Sequence, residues 1–144
     1  MSVQFKQLSD GSLGLQGDLT GGNGEFIPLV VNYIASSAAT QAIFTASRNY
    51  VVQSIIGRTQ VAGTGGACTM SIYSVPSGTA VASGTLLHSG TFNLVGTINT
   101  NQTLTLSTTA SALAIPAGNS IGIVITGTAT SAVGSVTIAL SPAN

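Results

Sequence analysis

From Phe26 to the C-terminus, apolar residues alternate with small polar ones in a period of two, and this pattern constrains the fold most strongly. Successive side chains of a β-strand point to opposite faces of the sheet, so the period predicts strands that bury one face. Gly, Pro, Asn and Ser interrupt the alternation at a spacing of roughly 8–12 residues. We therefore predict an all-β, antiparallel sandwich or barrel of about eight to ten strands, without a helix.

Three runs predict which residues face the core. In each run, apolar side chains occupy every second position, and the intervening residues are Ser, Thr, Gly, Ala, Val or Tyr. We expect them to be buried in a shared core. They are Cys68, Met70 and Ile72; Ile121, Ile123 and Ile125; and Val136, Ile138 and Leu140.

Two longer runs have a less regular pattern. Tyr50–Val61 is a long candidate strand, and a period of two along it places Val51, Ile55 and Val61 on one face and Val52 and Ile56 on the other. Residues 26–34 are mostly apolar, which predicts a buried strand. Turns are expected at residues 62–66, 76–79 and 116–119, where Gly and Pro cluster.

Residues 1–25 differ from the rest of the chain. They hold four of its six charged residues, Lys6, Asp10, Asp18 and Glu25, and the Gly-rich residues 20–24 (TGGNG) predict a flexible joint. Alternation on either side of Ser9-Asp10-Gly11 predicts a small hairpin. We divide the chain into an N-terminal hairpin or arm, residues 1–25, and a β-sandwich domain, residues 26–144. The hairpin is equally compatible with a first strand pair of the main fold.

The low charge limits the functions that are open to the chain. Only 4% of its residues are charged and its net charge is zero, against about 25% charged residues in an ordinary domain. Binding to nucleic acid needs several cations on one face, so we expect no nucleic-acid partner. The absence of a long apolar run predicts no membrane partner. Desolvating a surface of hydroxyls and small apolar groups costs little free energy, so the composition favours a protein that functions within an assembly.

The inventory of reactive groups argues against an enzyme. His88 is the single histidine, Cys68 is the single cysteine, and all three carboxylates precede Phe26. A nucleophile, its base and an orienting group are therefore not available within the β domain. Cys68 alternates with Met70 and Ile72 and is expected to be an inert buried thiol. We predict no enzymatic activity, no metal site and no cofactor.

Several segments between residues 44 and 140 resemble the jelly-roll cement or decoration proteins of tailed bacteriophages, such as those of short-tailed Bordetella-type phages. They are residues 44–50 (FTASRNY), 56–58 (IGR), 62–66 (AGTGG), 83–87 (SGTLL), 99–106 (NTNQTLTL), 113–122 (LAIPAGNSIG) and 134–138 (GSVTI). The resemblance is one of composition and turn placement.

This resemblance implies a jelly roll of two Greek-key sheets that lies on the capsid exterior of the virion after synthesis in the host cytoplasm. It implies two partners, the major capsid protein and further copies of the chain in a homodimer or homotrimer. The protein would stabilise the assembled shell by bridging capsid proteins. A fibre or tail-tip module that recognises a host surface ligand is the alternative.

The charged residues are the candidates for partner binding. Arg48 precedes the candidate strand Tyr50–Val61, and Arg58 lies within it. These two residues are the only cations of the β domain. An interfacial Arg pairs well with a carboxylate of a partner. Residues 1–25 are the second candidate, because an extended arm can add a strand to the sheet edge of a neighbour. The predicted partner-binding residues are Lys6, Asp10, Asp18, Glu25, Arg48 and Arg58.

Overall fold

The computed structural model of the chain describes residues 4–7, 13–16, 26–35, 39–127 and 131–143. These residues form fourteen strand segments and two short 3₁₀ turns, Val81–Ser83 and Ala110–Leu113. The strands are β1 (Gln4–Gln7), β2 (Leu13–Gln16), β3 (Ile27–Ala35), β4 (Ala39–Thr45), β5 (Tyr50–Val61), β6 (Cys68–Val75), β7 (Thr85–Leu86), β8 (His88–Ser89), β9 (Phe92–Asn93), β10 (Asn101–Thr103), β11 (Thr105–Leu106), β12 (Ala114–Ile115), β13 (Ser120–Gly127) and β14 (Ala132–Pro142).

Most strands form two antiparallel sheets that pack face to face. The front sheet has the order β10-β5-β14-β3, with β12 also paired to β5. The back sheet has the order β4-β13-β6-β7, with β9 also paired to β6. Between β3 and β14 the chain crosses repeatedly from one sheet to the other, which is the topology of a jelly roll. The predicted all-β, jelly-roll-like sandwich is confirmed. The segments outnumber the expected strands because residues 85–115 pair in pieces of two or three residues.

The core lies between the two sheets and consists of apolar side chains from their facing surfaces. All three runs that the alternation assigned to the core are buried there. Each strand that carries such a run buries every second side chain over most of its length, as the pleat of a half-buried strand requires. The core side chains that are fully removed from solvent include Ile55, Met70, Ile72, Leu87, Phe92, Leu94, Ile115, Ile121, Ile138 and Leu140.

The predicted faces of β5 are wrong, because two bulges interrupt its pairing with β14. Val52 pairs with Leu140 and Ser54 pairs with Ala139, which leaves Gln53 as an extra residue. A bulge of one residue shifts the alternation, so Val52 and Ile55 are buried together while Ile56 faces solvent. Gln53 points outward, and its Nε2 donates a hydrogen bond of 2.8 Å to Ser141 Oγ.

At the second bulge of β5, Thr59 pairs with Gly134 and Val61 pairs with Val133, so Gln60 is the extra residue. Val61 is consequently half exposed instead of sharing a buried face with Ile55. Residues 26–34 also differ from the prediction. They form an edge strand that pairs only with β14 among the described strands. Tyr33 of that strand is buried, whereas Phe26 and Val30 are exposed.

Two of the predicted turns are closed by hydrogen bonds. The N–H of Thr79 donates to the carbonyl oxygen of Pro76 at 3.1 Å, and the N–H of Asn119 donates to that of Pro116 at 3.0 Å. Gly78 and Gly118, at the third position of each turn, have φ values of 83° and 85°. Glycine occupies this left-handed region without the steric cost of a Cβ atom.

The N-terminal strands β1 and β2 pair with each other as an antiparallel ladder, from Gln4 opposite Gln16 to Gln7 opposite Leu13. The predicted pairing on either side of residues 9–11 is therefore present. The predicted joint at residues 20–24 lies outside the described residues. The division of the chain at residue 25 stays a prediction.

Gly57 lies on the inward face of β5, against the ring of Phe92. A Cβ atom at Gly57 would overlap this ring, which is fully buried. The ring of Tyr33 meets that of Phe92 edge to face, with 6.0 Å between the ring centroids. The Tyr33 hydroxyl lies 3.1 Å from Thr59 Oγ1, so these two buried hydroxyls form a hydrogen bond with each other. Burial raises the pKa of Tyr33, and the hydrogen bond from Thr59 opposes this shift.

We predict that Gly57→Ala destabilises the protein by about 1–3 kcal/mol, because the added methyl group overpacks the core against Phe92. Chemical denaturation of the variant and the parent protein measures this difference. The matched test is a double-mutant cycle with Phe92→Leu, in which the smaller side chain reduces the cost of Gly57→Ala. An equal cost in both backgrounds would refute the contact as its cause.

Candidate functional site

The two arginines of the β domain are exposed but far apart. Arg48 lies in the bend between β4 and β5, and Arg58 lies on the outward face of β5. A strand rises about 3.3 Å per residue, so their backbones are separated by about 30 Å. The structure therefore does not bring Arg48 and Arg58 into one site.

The other predicted partner-binding residues belong to the N-terminal region. Lys6 lies in β1, where it pairs with Gly14 of β2. Asp10, Asp18 and Glu25 lie outside the described residues. All three carboxylates of the chain are among these, so neither guanidinium meets a carboxylate side chain within the described ranges. A counter-ion for Arg58 has to come from elsewhere in the chain or from a partner.

Arg58 lies on the outer surface of the front sheet, which we call the outer front face. The register of the sheet aligns its outward side chains in rows across the strands. One row combines aliphatic and hydroxyl side chains, and the next is polar and contains Arg58. The rows are Val30, Thr137, Ile56 and Thr103, followed by Asn32, Ser135, Arg58 and Asn101.

The outer front face is neutral apart from Arg58 and partly apolar. Val30 is 57% exposed and Ile56 is 37% exposed, although both are large aliphatic side chains. The back sheet differs, because part of its outer surface is covered by the connection between β6 and β7. A Cβ atom at Gly122 of β13 would overlap the side chain of Val81 in that connection. The outer front face could not be predicted from the sequence, because the bulges of β5 turn Ile56 outward.

His88 is buried between strands and acts as a hydrogen-bond acceptor. The backbone N–H of Ile72 donates to His88 Nε2 at 3.1 Å, which links β8 to β6. The neutral ring therefore carries its proton on Nδ1. Nδ1 is buried and makes no hydrogen bond within the part of the chain that the structure describes. Burial lowers the pKa of His88, and nearby backbone groups of Ser89 and Gly90 oppose the shift.

Cys68 is a buried free thiol, as its alternation with Met70 indicates. It lies on β6 four residues from Ile72, the residue whose N–H contacts His88. Along a strand this spacing corresponds to about 13 Å, so Cys68 and His88 do not form a nucleophile–base pair. Within the described ranges, no three His, Cys, Asp or Glu side chains cluster in a way that suits a metal ion. No helix in the same ranges has the length and apolar character to span a membrane.

A shallow cavity of about 270 Å³ lies at the start of β5, beside β12. Asn49 and Tyr50 are the lining residues with polar side-chain groups, and Asn49 Oδ1 accepts a hydrogen bond of 2.9 Å from the N–H of Ala117. None of the lining side chains is charged. It is lined by Asn49, Tyr50, Ala114, Ile115, Pro116 and Ala143.

Comparisons with known proteins assign no family. No family model matches the chain, and no curated protein matches it. Among solved structures, the chain is similar to one from "Bacillus endospore appendages form a novel family of disulfide-linked pili", with 16% identity and a TM-score of 0.39, covering 85% of this chain and 95% of the other.

The chain is also similar to chains in structures of infectious bursal disease virus. For the Gt strain the identity is 14% and the TM-score 0.35, and for the Gx strain they are 16% and 0.32. These matches cover 93% and 95% of this chain but only 37% and 36% of the viral chains. With TM-scores below 0.5, none of these likenesses supports a conclusion on function.

We predict that His88 makes the protein less stable in mild acid. The folded state holds His88 neutral, whereas in the unfolded chain it binds a proton as the pH falls through its usual value of 6.5. Stability is therefore fully present above that pH and decreases below it, by at most about 1.4 kcal/mol per pH unit. Chemical denaturation at several pH values between neutral and mildly acidic measures the slope.

The control for this prediction is His88→Gln, whose side-chain oxygen can accept the Ile72 N–H without titrating. Its stability should change less over the same pH range than that of the parent protein. Equal slopes for the two proteins would show that another group is responsible.

Proposed function

We propose that the chain is a structural virion protein, a cement or decoration protein that binds the outside of a tailed-phage capsid. The observation that carries the proposal is the outer front face, a surface of hydroxyl and aliphatic side chains with the single charge of Arg58. In this proposal the protein is not an enzyme and uses no cofactor. It acts by binding the major capsid protein and further copies of itself.

The chemistry of this face suits burial against another protein. Removing a charged group from water costs several kcal/mol unless it finds a partner, whereas a hydroxyl needs only one hydrogen bond. The cores of protein interfaces are correspondingly depleted of charged residues. Thr137, Thr103 and Ser135 offer hydroxyl groups, and Val30 and Ile56 supply apolar area. Covering the outer front face with a capsid surface therefore costs little free energy of desolvation.

Arg58 gives this face its specificity in our proposal. Its guanidinium has no carboxylate partner within the described ranges, and it would pair with a carboxylate of the capsid protein through two parallel hydrogen bonds. Arg48 lies about 30 Å away at the other end of β5 and would not share that contact. The N-terminal residues Lys6, Asp10, Asp18 and Glu25 would form a second contact as an arm that reaches a neighbour.

The proposed mechanism of stabilisation is thermodynamic. A protein that binds the assembled shell but not the free capsid subunits shifts the equilibrium toward the shell by mass action. Many copies on a symmetric lattice add their contributions, and each contact that bridges two capsid proteins profits from a high effective concentration. Such a protein needs an extended complementary surface and no catalytic group.

We expect the protein to be present in hundreds of copies in each purified particle, because a cement protein occupies repeated sites of the capsid lattice. Quantitative mass spectrometry of particles against the major capsid protein measures the ratio. A few copies to a few dozen per particle would contradict the proposal and indicate a fibre or tail-tip component.

We further predict that Arg58→Gln weakens binding to capsids that lack the protein by about tenfold to a hundredfold. A hydrogen bond to a charged group contributes about 1.5–3 kcal/mol. Co-sedimentation with such capsids measures the affinity. Arg48→Gln is the matched control, with the same change in charge on another surface, and it should bind like the parent protein. Binding by Arg58→Gln at parental affinity would refute the assignment of this face.

A further inference from the structure

The two sides of the sandwich end in different ways. On one side, the outermost strands are the long β3 of the front sheet and the long β4 of the back sheet. On the other side, the outermost segments are β10, β7 and β9, which have only two or three residues. Short edge strands are one of the means by which proteins prevent edge-to-edge pairing. Only the second side has this protection.

The side with short segments is also closed by side-chain hydrogen bonds. Gln102 of β10 accepts a hydrogen bond of 3.2 Å from the N–H of Asn93 and donates one of 2.8 Å to its carbonyl oxygen. Asn93 belongs to β9 of the back sheet, so the Gln102 amide bridges the two sheets where they end. It occupies backbone groups of β9 that would otherwise be free to pair with another strand.

The β3 edge has the opposite properties. β3 is nine residues long, and no described strand pairs with the edge that it turns away from β14. No charged residue occurs between residues 26 and 47, although charges, above all Lys, usually protect an exposed edge. Phe26 is 55% exposed and Val30 is 57% exposed. Among the usual protective features, β3 has a proline, Pro28, near its beginning.

We propose that the β3 edge is the dimer interface of this protein, occupied by β3 of a second copy in antiparallel pairing. The charge of the surface favours this occupant, because a neutral edge meets its own copy without repulsion. A twofold axis brings identical strands together antiparallel and uses both edges at once. The dimer is therefore closed and does not extend into a filament.

The size of this interface suits a specific dimer. An antiparallel pair of this length exchanges about eight backbone hydrogen bonds, which lies within the usual range for a protein interface. A twofold axis perpendicular to the sheets also brings the two β4 edges to the same junction. Leu29, Val31, Ile43 and Phe44, which are only partly buried and pack against the core near these edges, would then be covered further.

The test is the oligomeric state of the full chain, measured by sedimentation equilibrium over a range of concentrations. We expect a dimer for the parent protein and a dissociation constant raised by about tenfold or more for Val30→Lys, since like charges would face each other across the junction. Asn32→Lys, on the same face of β3, should act in the same direction. Both residues are exposed, and thermal unfolding checks that each variant is folded.

Ile98→Lys is the matched control, because Ile98 is a comparably exposed aliphatic residue in the turn that precedes β10. It should dimerise like the parent protein. A monomeric parent protein at its highest soluble concentration, a trimer, or a dimer that both β3 variants leave unchanged would overturn the proposal. The copy number in particles is measured independently, so failure of the dimer is distinguishable from failure of the proposed function.

Discussion

The pairing of β5 with β14 is the interaction on which the rest of the sandwich depends. These two strands are the longest of the described strands and lie next to each other in the middle of the front sheet. β5 also carries β10 and β12, and β14 carries β3. Their inward side chains, among them Ile55, Val136 and Ile138, supply the front half of the core. The two bulges in this ladder decide which side chains of β5 reach the core and which form the outer front face.

The architecture follows from the sequence because most strands obey a strict period of two. β6, β13 and much of β14 bury the residues that simple alternation assigns to the core. The faces of β5 could not be predicted in this way, since the position of a bulge is set by the pairing partner and leaves no mark in the alternation. The prediction of a buried strand at residues 26–34 is wrong for a related reason. An apolar composition indicates burial, but the position of a strand at the edge of a sheet is a property of the topology.

The candidate site could be predicted only in part. Its low charge and its arginine are visible in the sequence, and Arg58 does lie on an exposed sheet face. The separation of Arg48 from Arg58 also follows from their spacing once β5 is a continuous strand. The apolar row beside Arg58 could not be foreseen, because it combines residues of four strands, Val30, Thr137, Ile56 and Thr103, through their register. In the proposed dimer, two such faces would lie side by side on one surface.

The position of the carboxylates has a consequence for the conditions that such a protein tolerates. Between Phe26 and Asn144 there is no Asp or Glu, and the two charged side chains are those of Arg48 and Arg58. This part of the chain therefore has no carboxylate side chain whose charge an acidic medium would remove. Salt screens few interactions on it, because few charges are present. In the proposed function, the hydroxyl and aliphatic contacts of the outer front face would change little with ionic strength, whereas the pairing of Arg58 with a capsid carboxylate would weaken as salt is added.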